Sequence, residues 1–288
     1  MRNYFQIVLA LIKYKVSIAV TFTAITGYIV FSGHFDVQIL TLVLGVFFLA
    51  GGSSALNECQ ESTYDAKMPR TMNRPIPTGK ISLVEATLVS ILFLVVGTAI
   101  LYVAFGAVTA LLGLLNIVWY NGIYTYLKRV TPFAVVPGSL VGAIPALMGW
   151  TAAGGYVFEP TIIFIAFFLF IWQIPHFWLL MLKYGDEYEN AGFPTINQSI
   201  SSESLKKIIF IWVMATSAFS ITIPLFIRNI SLSFFLLIFA LNLLFVLLFA
   251  RLSFGQAAGM NLKKSFISIN VYMILFMILL ILHHLSLS

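Results

Sequence analysis

Apolar residues in this chain follow neither strict alternation nor a narrow helical stripe. They run on for about twenty positions at a time and are then broken by polar stretches. A run of that length crosses the roughly 30 Å hydrocarbon core of a bilayer as a helix, whereas barrel strands would show shorter, alternating segments. Nine runs qualify, with predicted cores at 15–32, 39–57, 82–102, 107–126, 133–153, 161–182, 206–227, 231–250 and 265–283. The pattern therefore predicts an all-α integral membrane protein, nine transmembrane helices bundled around a central cavity. The longest polar stretches are too short for a soluble domain, so residues 1–288 read as a single domain.

Basic residues test this division. Arg2, Lys13 and Lys15 precede the first run. Lys67, Arg70, Arg74, Lys80, Lys128, Arg129, Lys183, Lys206, Lys207, Arg251, Lys263 and Lys264 fall in the even-numbered connections, and only Arg228 falls in an odd one. Fifteen of sixteen cations on one side set a topology with the N-terminus and even connections cytoplasmic and the C-terminus outside. The outer connections are short. The two long inner ones, 58–81 and 183–205, hold seven of the ten acidic residues. Two acidic segments four helices apart hint at an internal repeat. Runs two and five are rich in small residues, from Gly51 to Ala55 and at Gly138, Gly142 and Gly149, which suits close helix packing and also leaves room for a ligand.

Composition narrows the class. The 288 residues are 60% hydrophobic and 9% charged, far from the roughly 25% charge of soluble domains. The net charge of +6 reflects membrane topology, so no nucleic acid is expected. One cysteine, Cys59, excludes an intramolecular disulfide framework. The first run is broken by Lys13 and Lys15 and lacks a cleavage site, so no cleavable signal peptide is expected.

Candidate chemistry gathers in the two acidic segments. Asn57, Glu61 and Asp65 are spaced i, i+4, i+8, which on a helix sets three oxygen-bearing side chains in a row on one face. An amide and two carboxylates suit Mg2+, which bridges carboxylates to phosphate oxygens. Arg70, Arg74 and Lys80 follow and suit phosphate charge. By spacing alone a solvated loop explains the row equally well. The second segment carries Lys183, Asp186, Glu187, Tyr188, Glu189 and Asn190, which alone reads as an interfacial ion-paired turn. Tyr124, Tyr126, Lys128 and Arg129 close run four, as interfacial anchors or as holders of a leaving diphosphate. Pro175 and His176 sit within run six, where a histidine is a hydrogen-bonded packing residue, a haem-iron ligand or a proton carrier.

Together these segments resemble the UbiA superfamily of intramembrane aromatic prenyltransferases. Its first motif, Asn-x-x-x-Asp/Glu-x-x-x-Asp-x-x-Met-x-Arg-Thr-x-x-Arg-Pro, is met at Asn57, Glu61, Asp65, Met68, Arg70, Thr71, Arg74 and Pro75. The segments Tyr124–Pro132, Gly142–Trp150 and Pro175–Trp178 resemble the branch that farnesylates protohaem IX. The second acidic motif departs from the family pattern. Glu187 stands where Asp is usual and Asp186 lies one position earlier, so either carboxylate is a candidate ligand.

The resemblance implies farnesyl transfer from farnesyl diphosphate to a vinyl group of protohaem IX, with water, giving haem O and diphosphate. It implies Mg2+ held by Asn57, Glu61 and Asp65 with Asp186 or Glu187, haem being a substrate and not a cofactor. Arg70 and Lys128 would join that row as catalytic residues. Arg74, Tyr124, Lys183, Tyr188 and His176 would bind substrate, His176 orienting the haem. The implied setting is the cytoplasmic (inner) membrane, with active-site loops facing the cytoplasm and a downstream haem-modifying enzyme or terminal-oxidase assembly as partner. A sister enzyme acting on a quinone precursor or chlorophyllide would share the diphosphate half. A secondary transporter would instead carry isolated charges near the bilayer midplane.

Overall fold

In lipid, every backbone N–H and C=O must be satisfied within its own segment, so the apolar runs fold as helices. The computed structural model describes residues 4–198, 200–227, 230–255 and 260–286. Among them a short helix α1 (Tyr4–Leu11) precedes nine helices long and apolar enough to cross a membrane. These are α2 (Tyr14–Ser32), α3 (Gln38–Asp65), α4 (Leu83–Phe105), α5 (Ala107–Leu127), α6 (Pro132–Ala152), α7 (Pro160–Ala191), α8 (Ser202–Phe226), α9 (Leu232–Phe254) and α10 (Leu262–Leu285). Arg2 and Arg228, both used in the loop count, lie outside the described residues.

Seven spans keep close to their predicted cores, and two overshoot. Helix α3 continues eight residues past position 57, and α7 continues nine past 182. At 1.5 Å per residue they reach about 42 and about 48 Å, well beyond the hydrocarbon core. The polar segments read as loops thus begin with extra helical turns, over 58–65 and 183–191. Their apolar content drops while the 3.6-residue period continues, because side chains no longer face lipid once the helix leaves the hydrocarbon core. Gly192, at φ 97°, ends α7 in the left-handed conformation that glycine tolerates.

Two apolar cores fill the bundle. One lies among α2–α6, with Ile29, Leu42, Leu101 and Met148 fully buried. The other lies among α6–α10, around Phe168, Phe249, Tyr272 and Phe276. Helix α10 packs against both α2 and α7 and so joins the halves. Close packing explains some of the small residues. A methyl group on Gly27 would meet Ala146 O and one on Gly149 would meet Ala24 O, so α2 and α6 cross backbone to backbone.

Candidate active site

The overshoot of α3 carries the polar row out of the apolar helix without breaking its face. Asn57, Glu61 and Asp65 are all buried, and all three line a cavity of about 380 Å³. The apolar end of that cavity is formed by Val20, Val46, Leu49, Ile117 and Met148. The row is not solvated. Each member holds one of the protein's own cations. Lys13 Nζ donates to Asn57 Oδ1 at 3.0 Å, Lys128 Nζ to Glu61 Oε2 at 2.6 Å, and Arg74 to Asp65 Oδ2 at 2.6 Å. Asn57 Nδ2 donates onward to Thr125 Oγ1 at 3.2 Å, and Thr71 Oγ1 donates to Asp65 O at 2.9 Å.

Lys13 is half-buried here, although the sequence offered it only as a topology charge. It lies between α1 and α2 and is the one non-glycine residue with positive φ among the described residues, at 48°. Burial, and then the nearby Arg74 guanidinium, pushes its ammonium down to about 8, while Glu61 and Glu58 act the other way.

The second polar overshoot reaches the same mouth. Arg70 bridges the two: its backbone N–H donates to Glu187 Oε2 at 3.2 Å and its guanidinium to the Tyr188 hydroxyl at 2.8 Å. Its guanidinium also lies 5.0 Å from the Tyr184 ring centroid. Beneath it, Met68, Ala191 and Phe193 form a small apolar cluster with Tyr64 and Tyr188. This contact between α3 and α7 ends supports the paired acidic segments read from the sequence. Of the two candidate carboxylates, Glu187 faces the first segment and Asp186 is exposed.

Helix α5 supplies the opposite wall. It widens into a π-helical turn over Val118–Tyr124, a form concentrated at functional sites. The turn lets Tyr120 and Tyr124 both line the cavity, stacked at 5.9 Å, while Asn121 turns away to bond Ser53 and Gln60. Lys128 lies 5.7 Å from the Tyr124 ring centroid and 5.5 Å from that of Phe193. Sequence reasoning also passed over Gln173 and Phe177 of α7, which line the cavity with Gly142 opposite. A methyl group on Gly142 would collide with the Gln173 amide.

Some expected residues stand elsewhere. His176 does not line the cavity. Its ring packs between Trp172 at 5.0 Å and Phe266 at 4.8 Å, on the side of α7 that meets α10. Lys183 is exposed and lies over Tyr184. Arg129 bonds Gln60 O from outside the cavity. The expected ligand set of both segments is not gathered: among the described residues no three His, Cys, Asp or Glu side chains stand close enough to share an ion. Glu58, buried one position past Asn57, accepts only a 3.4 Å bond from Ile76 N–H and braces the segment that carries Arg74.

The row alone still fits a hard divalent ion. It offers an amide oxygen and two carboxylates on one face, and it already collects three cations. Lys13, Arg70, Arg74 and Lys128 outnumber Glu61 and Asp65 along the cavity by two charges, so the polar end favours a strongly anionic guest.

The model of the UbiA prenyltransferase family matches residues 19–281. A protoheme IX farnesyltransferase of Nitratidesulfovibrio vulgaris is 35% identical over 216 residues, covering 75% of each chain. One from Geobacter sulfurreducens is 34% identical over 219 residues, covering 76% of this chain and 80% of that protein. One from Shewanella halifaxensis is 32% identical over 250 residues, covering 86% and 82%. Among solved structures, a digeranylgeranylglyceryl phosphate synthase superposes with TM-score 0.77 at 16% identity, covering 98% and 99% of the two chains. A UbiA homologue from Archaeoglobus fulgidus bound to GPP and Mg2+ superposes with TM-score 0.69 at 17% identity, covering 97% and 99%. At those identities the structures speak for the fold, and the sequence matches carry the assignment: this chain belongs to the UbiA prenyltransferase family.

Proposed function

We propose that this membrane protein transfers a farnesyl group from farnesyl diphosphate to a vinyl group of protohaem IX, with water, to give haem O and diphosphate. The observation that carries this reading is the likeness to protoheme IX farnesyltransferases, which spans both acidic segments and reaches 86% of the chain. The cavity is consistent with it, having a cationic, carboxylate-lined mouth and an apolar interior.

In the reaction the C1–O bond of the allylic diphosphate breaks and the diphosphate leaves with the electron pair. C1 then bonds to the terminal vinyl carbon of the haem. Water adds to the inner vinyl carbon and a proton is released. Arg70, Arg74 and Lys128 line the cavity and would take the negative charge that grows on the leaving group. Mg2+, held by Asn57, Glu61 and Asp65, would supply further charge neutralisation of the diphosphate. The rings of Tyr120, Tyr124, Phe177 and Phe193 face the same space and shield the allylic carbon from early capture by water. Nothing in the protein forms a covalent bond to substrate, so its contribution is positioning and electrostatics.

The bias of basic residues supports a mouth on the cytoplasmic side, the membrane would be the inner one, and a downstream haem-modifying enzyme or terminal-oxidase assembly would take the product. Membranes carrying the protein, supplied with farnesyl diphosphate, haem and Mg2+, are expected to yield haem O by mass spectrometry. Prenylation of a quinone precursor with haem untouched would overturn the acceptor assignment.

A further inference from the structure

The three cations on the row raise a question that the reaction alone does not answer. Asn57, Glu61 and Asp65 are each engaged by a basic side chain, so a divalent ion arriving alone meets occupied oxygens and three positive charges. Lys13 is the most telling of the three. Lys128 and Arg74 neutralise carboxylates, as buried anions require. Asn57 is neutral and has no such need, yet Lys13 is brought to it by a backbone conformation that costs energy.

The local packing shows how that aim is fixed. Leu11 and Ile12 are buried, and Ile12 sits against Gly51 of α3, where a methyl group would come within 3.2 Å of its Cβ. Ser17 Oγ donates to Ile12 O at 2.9 Å, and the N–H groups of Val16 and Ser17 both donate to Lys13 O. The hinge between α1 and α2 is therefore tied on both sides, and its one ammonium points into the cavity.

We propose that Lys13 is a positioning residue that couples metal loading to diphosphate loading. While its ammonium occupies Asn57 Oδ1, the row binds a divalent ion poorly. An arriving diphosphate offers Lys13 a stronger, anionic acceptor in the same cavity, draws it off the amide, and frees Asn57 for the ion. Ion and diphosphate then enter together, and the ammonium that guarded the row becomes part of the diphosphate's surroundings. This inference deepens the prenyl-diphosphate reading and rests on it, but not on the identity of the acceptor.

Binding of Mn2+ as the probe ion, followed by electron paramagnetic resonance on protein in lipid nanodiscs, tests it without catalysis. In the native protein inorganic diphosphate should tighten Mn2+ binding by at least about fivefold, the low end of ordinary coupling between sites. Lys13→Met should bind Mn2+ alone more tightly than the native protein and lose most of that coupling. Lys13→Arg should retain the coupling, and Lys15→Met, on an exposed neighbour, should match the native protein. Unaltered Mn2+ binding in Lys13→Met, with the coupling intact and the protein still folded by thermal unfolding, would overturn the proposal. A failed haem O assay with these binding effects present would instead overturn only the acceptor.

Discussion

Two of the buried asparagines in the apolar helices, Asn57 and Asn242, are handled in opposite ways. Asn57 of α3 lies at the cavity, with a lysine on its oxygen and a row of carboxylates beyond it. Asn242 of α9 lies in the second half of the bundle, where its oxygen accepts from Ser217, Ser220 and Tyr272 at 2.7–2.8 Å and its amide donates to Ile238 O at 2.8 Å. The partners of Asn242 are neutral hydroxyls from α8 and α10, and the knot they form ties three helices together. The Asn57 amide is tied to one neutral hydroxyl, that of Thr125, but its oxygen is held by a charged side chain on a long flexible stem beside a cavity open to a guest. Both clusters satisfy the rule that polar groups in a membrane protein must be paired. Only the first can exchange its partners for a ligand. Replaceable pairing, and not burial or polarity, is thus what separates the proposed functional cluster from the closed one.

The comparison would break most visibly at Asp65. In Asp65→Asn the row loses a charge and Arg74 loses its partner. Turnover should fall by about a hundredfold or more, the scale of removing one charge-stabilising group from an active site. Folding should persist, and EDTA treatment of the native protein should mimic the loss. Haem O formation by mass spectrometry, with gel filtration as the folding check, decides it. Retained turnover in both experiments would remove the row from the chemistry.

Asn242 should behave in reverse. Asn242→Leu removes the shared acceptor of three hydroxyls, and interhelical hydrogen bonds in membranes average about 0.6 kcal/mol, so the loss is about 2 kcal/mol. Ser220 keeps its bond to Ser217 O, which limits the damage. Thermal unfolding in nanodiscs should shift down while specific activity per folded molecule stays within about twofold. A collapse of activity without a stability change would mean that the second half of the bundle takes part in the reaction.

Much of this arrangement is legible in the residues. The nine spans follow from run length, and the Asn57 row is visible because its helical spacing outlasts the apolar run. What escaped depends on contacts that no local pattern encodes. Lys13 looks like any other cation flanking a membrane helix until Ile12 docks on Gly51 and turns it inward. The π-turn at Val118–Tyr124 shifts the register that places Tyr120 and Tyr124, and no residue there announces it. Glu187 and Asp186 are adjacent in sequence, and only the continuation of α7 to Ala191 decides which faces Arg70. The Pro-His-Phe-Trp setting of His176 points toward haem, whereas the packing of α7 on α10 sets its ring against Phe266. Asn242, in a run of Leu and Phe, drew no notice because its partners come from α8 and α10.

The finest test applies one chemical change to both regions. Tyr272 Oη lies 2.7 Å from Ser220 Oγ and 2.8 Å from Asn242 Oδ1, sharing one proton between them, and its ring stacks on Phe245 with centroids 4.0 Å apart. Tyr272→Phe keeps the stack and removes only the hydroxyl, so stability should drop by about 0.6 kcal/mol with no change in turnover. Tyr124 faces the cavity with the Lys128 ammonium near its ring. Tyr124→Phe keeps that cation–π contact and removes a hydroxyl that has no protein hydrogen-bond partner among the described residues. Its melting temperature should match the native protein, and its KM for farnesyl diphosphate should rise by a few-fold, about the worth of one neutral hydrogen bond. If the two substitutions act alike, through stability or through KM, the division between an exchangeable cluster and a closed one does not hold in this bundle.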